Sequence, residues 1–118
     1  VIDATEQALV TLINQGETIA GWSLVLAVTN DNVIILRNLM VANCSGATAQ
    51  FAMMICPNSY TPVSGIDQPN VIFKIGTFGQ DESYNQSLNA AVPSGYSVYV
   101  WASSVELNYH LSGIVGQR

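Results

Sequence analysis

From Gln7 to Ser112 the chain repeats one kind of segment, a short run rich in β-branched and aromatic residues closed by Gly, Pro, Asn, Asp or Ser. β-Branched side chains crowd the preceding turn of a helix but pack well on a pleated surface, so such runs predict strands. The runs are Gln7–Ile13, Trp22–Val28, Val33–Ala42, Ala49–Ile55, Val71–Phe78, Tyr84–Leu88, Tyr96–Ala102 and Val105–Ser112. For Thr5–Leu12 a helix capped by Thr5 is the alternative, but Val10, Thr11 and Ile13 favour a strand. Asn14-Gln15-Gly16-Glu17 is expected to close the first run. Asn43–Thr48 and Ser103-Ser104 are read as hairpin turns.

Alternation gives the late strands two faces. Val105, Leu107, Tyr109 and Leu111 share one side, with Glu106, Asn108, His110 and Ser112 on the other. Val98, Val100 and Ala102 alternate with Tyr99 and Trp101, so these two rings must be covered by a second sheet, a loop or a neighbouring subunit. Seven to nine such strands predict an all-β fold, a single antiparallel β-sandwich that is jelly-roll or immunoglobulin-like in topology. It would occupy residues 1–118 as one domain, with 1–20 an N-terminal strand or arm. Residues 57–70, with three prolines, form a long surface loop in which Tyr60 and Ile66 are exposed anchors for a partner.

Composition narrows the function. Apolar residues make up 49% of the chain and charged residues only 9%, against an average near 25%. Disorder is excluded, because disordered chains are poor in hydrophobics and rich in charge. Three cations against eight acids cannot follow a phosphate backbone or form a basic membrane patch, so neither nucleic acid nor membrane is an expected partner. Val1–Glu6 has neither the basic nor the apolar region of a signal peptide, so no export is expected. A surface this poor in charge suits burial against other protein.

Chemistry finds no obvious carrier. His110 is the lone histidine, which excludes triads or metal sites built on several, and it is expected to be structural or at an interface. Asp67, Asp81 and Glu82 lack a calcium-loop pattern. Cys44 and Cys56 lack zinc-ligand spacing. Placed at opposite ends of a hairpin, they would lie roughly 25 Å apart at ~3.3 Å per residue, too far for a disulfide, and both are expected as buried free thiols. No catalytic residue, cofactor or metal is therefore expected. Trp22, Tyr60, Tyr99 and Trp101 could stack on sugars, which keeps a carbohydrate-binding module as the rival reading.

Three strings resemble a known pattern. Ile34–Phe51 contains a strand ending in Asn43-Cys44-Ser45-Gly46 and a return with alternating apolar residues; Pro93–Ser104 and Leu111-Ser112-Gly113-Ile114 follow in order. Together they resemble the small β-sandwich virion proteins of tailed bacteriophages over roughly residues 20 to 115. Gly95-Tyr96 departs from the usual Gly-Asp or Gly-Glu, and the 57–70 loop is longer than the pattern. The resemblance implies a capsid decoration or cement protein, or a tail or fibre component, made in the host cytoplasm and resident in the virion. It implies a homo-oligomer, a trimer among the options, and contact with other virion proteins such as the major capsid protein. The interface candidates are Tyr60, Ile66, Tyr99 and Trp101.

Overall fold

The computed structural model describes residues 11–18, 20–29, 32–103 and 107–117. Its strands are β1 (Thr11–Glu17), β2 (Gly21–Ala27), β3 (Asn32–Asn43), β4 (Ala49–Pro57), β5 (Val71–Phe78), β6 (Ser83–Val92), β7 (Tyr96–Ala102) and β8 (Leu107–Gln117). They form two four-stranded sheets, ordered β1-β8-β3-β6 and β2-β7-β4-β5, and every pairing is antiparallel. Successive strands alternate between the sheets except β4 and β5, which pair directly. This interleaving is that of a jelly roll, which settles the choice left open by the strand count. No helix among the described residues is long and apolar enough to cross a membrane.

Two predicted hairpins are corrected. β3 and β4 lie in different sheets, so the segment after Asn43 is an arch that crosses the sandwich; β7 and β8 also lie in different sheets and are not hairpin partners. Alternation reports which face of a strand is buried and is silent on its partner, and a short turn can span the ~10 Å between sheets as readily as close a hairpin. The expected turn at Asn14–Glu17 is also corrected, because these residues continue β1 and pair with Leu111–Asn108 of β8. Gln7–Val10 of the first predicted run lies outside the described residues, as do Ser104 of the predicted Ser103-Ser104 turn, Val105 and Glu106.

The core fills the space between the sheets. Leu36, Leu39 and Val41 of β3 and Leu107 and Leu111 of β8 meet Phe51 and Met53 of β4 and Val98 and Val100 of β7, all essentially solvent-free. Burying each such side chain contributes about 1.5–3 kcal/mol. Phe78 closes one end by an edge contact with Tyr84, ring centroids 5.1 Å apart. The predicted faces of β7 and β8 stand: Val98, Val100, Ala102, Leu107 and Leu111 point inward, Tyr109 packs against the core, and Tyr99, Trp101, Asn108 and His110 lie on outer faces.

The arch after β3 is organised by one side chain. Asn43 is 1% exposed. Its Nδ2 donates to the carbonyls of Ala47 (2.8 Å), Phe78 (2.9 Å) and Gly79 (3.1 Å). Its Oδ1 accepts from the Ser45 amide at 2.9 Å and the Ser45 hydroxyl at 2.6 Å. The arch is thereby fixed to the β5–β6 turn, and Gly46 supplies the positive φ of 78° that the bend needs.

At the other end of the molecule the Pro93–Gly95 turn is stitched in the same manner. Gly95 donates to Val28 O at 2.8 Å and accepts from Asn58 N at 2.8 Å, again with a positive φ of 91°.

Both cysteines are free, but their settings differ. Cys56 is buried, as expected, whereas Cys44 is exposed at the arch, where its sulfur accepts from Asn108 Nδ2 at 3.3 Å. The expectation that both thiols are buried is therefore corrected: with no hairpin to lie in, Cys44 sits on an arch at the rim of the sandwich. Burial pushes the Cys56 thiol and the Tyr109 phenol above their usual pKa ranges. A thiol reagent should therefore label one cysteine per native chain and two per unfolded chain. For an acid whose folded pKa is raised, the protonated form is favoured by folding. That stability is complete below the unfolded pKa and is lost as pH rises through the folded one, so denaturation midpoints should fall from about pH 8.5 upward, first through Cys56 and then through Tyr109.

Candidate functional site

The four interface candidates converge on the outer face of the β2-β7-β4-β5 sheet. Cross-strand register sets the rows. Trp22 of β2 lies opposite Trp101 of β7, which lies opposite Ala52 of β4, which lies opposite Lys74 of β5. The next row runs Leu24, Tyr99, Met54 and Val71. This face points away from the sandwich core, yet Ala52 and Met54 are fully buried.

The loop between β4 and β5 supplies the cover. Trp22 Nε1 donates to Gly65 O at 2.7 Å on one edge of the sheet. Lys74 Nζ meets Asp67 Oδ1 at 2.7 Å on the other edge. Residues 65–67 therefore bridge the row above Trp101 and Ala52. A second set of bonds stiffens the bridge: Tyr60 Oη donates to Gln68 Oε1 at 2.8 Å, and Gln68 Nε2 donates to Gly65 O at 3.2 Å. Gln68 is 9% exposed, so these bonds are partly shielded from water.

Tyr60, Ile66, Tyr99 and Trp101 are all half-buried in this arrangement. Of the three covers considered, the structure shows the loop, bridging the row that holds Trp101. Tyr60 and Ile66 are correspondingly less exposed than a free loop would leave them. Sequence reasoning missed two exposed apolar residues: Leu24 on this face is 55% exposed, and Val63 in the bridging loop is 65% exposed. Leu24 was legible as an alternating position on β2, while Val63 had no periodic signal because it sits in irregular loop. The charges placed on this face, Lys74 and Asp67, neutralise each other.

The opposite sheet carries a shallow depression of about 420 Å³ on its outer face. Met40 and Ala42 of β3, Ser83 and Asn85 of β6, and Asn108 and His110 of β8 line it. His110 Nδ1 is buried there without a hydrogen-bond partner. The described lining offers His110 no carboxylate or thiol with which to share a proton. Among the described residues no cluster of three or more His, Cys, Asp or Glu side chains could hold a metal ion.

No family model matches the chain, and no curated protein matches it. Among solved structures it is loosely similar to a pentameric capsid protein isolated from metagenomic phage sequences. The identity is 15% and the TM-score 0.36, over 99% of this chain and 75% of that one.

Proposed function

We propose that this chain is a structural protein of a bacteriophage virion, a capsid decoration or cement protein that acts through protein–protein contacts and catalyses nothing. The observation that carries the reading is the loop-bridged sheet face. It exposes Leu24 beside half-buried aromatic rings, its bridging loop exposes Val63, and its two charges are spent on each other. A face of this kind loses little on desolvation and gains from apolar burial, as interface cores do. The loop is bonded to both edges of the sheet, so the surface is ordered before a partner arrives and association costs less ordering entropy. The sugar-binding alternative needs open ring faces, and the rings here are half-covered with Trp22 already bonded to Gly65.

A chain carrying both Leu24→Asp and Val63→Asp should fold with unchanged circular dichroism, since both side chains are largely in solvent. Its binding to phage particles stripped of this protein should fall by at least about tenfold, the cost of burying unpaired carboxylates at an interface. Undiminished binding would move the contact to another face. Failure of the unmodified protein to bind any virion component, with capture of a glycan by the monomer, would replace the assembly reading with the sugar-binding one.

A further inference from the structure

We propose that the β6 edge is a self-pairing site, at which the segment 83–87 of one copy adds to the same segment of a second copy in antiparallel fashion. The inference deepens the assembly reading and takes from it only the premise that copies meet.

Each sheet has two edges, and they are not equally protected. The β5 edge carries Lys74 and two breaks in register against β4, devices that discourage strand addition. β1 and β2 flank the same side of the sandwich and touch each other. β6 ends its sheet at β3, and its ten residues, Ser83 to Val92, include no charged side chain and no proline. The residues from Ser83 to Ser87 are all exposed. They also hold unbroken register with β3, Ser83 opposite Ala42 through Ser87 opposite Asn38, before the irregularity at Leu88 and Asn89. An extended, uncharged, straight edge is a template for another strand. The one side-chain bond along it, Gln86 Nε2 to Ser87 O at 3.0 Å, is to a neighbouring residue and is readily exchanged for a ladder bond.

The occupant is argued from charge and symmetry. A two-fold axis through Asn85 sets Ser83 opposite Ser87, Tyr84 opposite Gln86, and Asn85 opposite its own copy. Two amides can hydrogen-bond to each other, and no like charges are opposed. The nearest acids, Asp81 and Glu82, precede the segment. Across this axis the two copies of Glu82 stand about six residues apart, or roughly 20 Å, beyond the screening length of ~8 Å at physiological salt. A chain with a net charge of −5 can therefore approach itself along this strand without bringing its acids together.

Charge exchange at the axis tests both the strand and the symmetry. In sedimentation equilibrium the unmodified protein should associate with concentration. Asn85→Lys and Asn85→Asp should each weaken association by about tenfold or more, with unchanged circular dichroism, and an equimolar mixture of the two should recover it, because the mixed pair opposes lysine with aspartate. Association that ignores Asn85→Lys overturns the site while leaving assembly through another face intact. Loss in both variants without recovery in the mixture overturns the two-fold pairing. An unmodified protein that stays monomeric yet still binds stripped particles overturns self-pairing alone; one that does neither removes the assembly reading as well.

Discussion

Asn43→Ala should cost about 2–4 kcal/mol of unfolding free energy, seen as a denaturant midpoint shift at constant m-value. The size follows from what is left behind. Truncation removes the donor shared by three carbonyls, of which Phe78 O is buried, and the acceptor for the Ser45 amide and hydroxyl. A buried group stripped of its partner costs ~1–3 kcal/mol, whereas a neutral bond lost at a wet site costs about 1. Ser45→Ala provides the scale. It removes only bonds within the arch, at part-exposed positions, and should cost about 1 kcal/mol. Equal losses from the two substitutions would show that the tie between the arch and the β5–β6 turn contributes nothing.

The second large effect belongs to Gly113→Ala. β8 lies between β1 and β3, and at Gly113 its backbone runs against Ile35 and Leu36. A Cβ placed there would penetrate the Ile35 carbonyl oxygen and stand 3.1 Å from both Ile35 C and Leu36 Cα, all of them backbone atoms. Relief requires the two central strands to part, so a loss of about 3 kcal/mol or more is expected, at the upper end for overpacking. Gly46→Ala is the contrasting case. A Cβ there meets open space, and only its positive φ is penalised, at roughly 1–2 kcal/mol. A Gly113→Ala protein no less stable than the Gly46→Ala protein would mean that β3 and β8 are more loosely joined than their register implies.

The residues that carried the sequence resemblance turn out to be those that shape the chain. Asn43, Ser45 and Gly46 build one arch, Pro93–Gly95 builds the turn that meets Val28 and Asn58, and Gly113 permits the close approach of β3 and β8. Their meaning is architectural, which explains why they announce a fold and name no site. The strands and their buried faces were legible because side-chain alternation is a local property: Val98, Val100, Leu107 and Leu111 read as core from their own neighbours. Sheet membership was not, because an arch and a hairpin use the same turn residues and differ only in where the returning strand docks. The cover over Trp101 was illegible for a related reason. It depends on Gly65 and Asp67 reaching Trp22 and Lys74, contacts without periodicity between residues distant in sequence or across a loop.

The chain has two tryptophans, and cross-strand register sets them side by side on the outer face of one sheet, with the bridging loop bonded to the first. Neither belongs to the interior between the sheets. Its intrinsic indole emission therefore reports the state of that outer surface: lifting the loop, or seating a partner there, changes the wetting of Trp22 and Trp101 while the sandwich beneath stays folded. The protein thus carries a built-in optical probe of that surface that needs no label, and a spectral shift without loss of β-sheet dichroism is the signature of a change there.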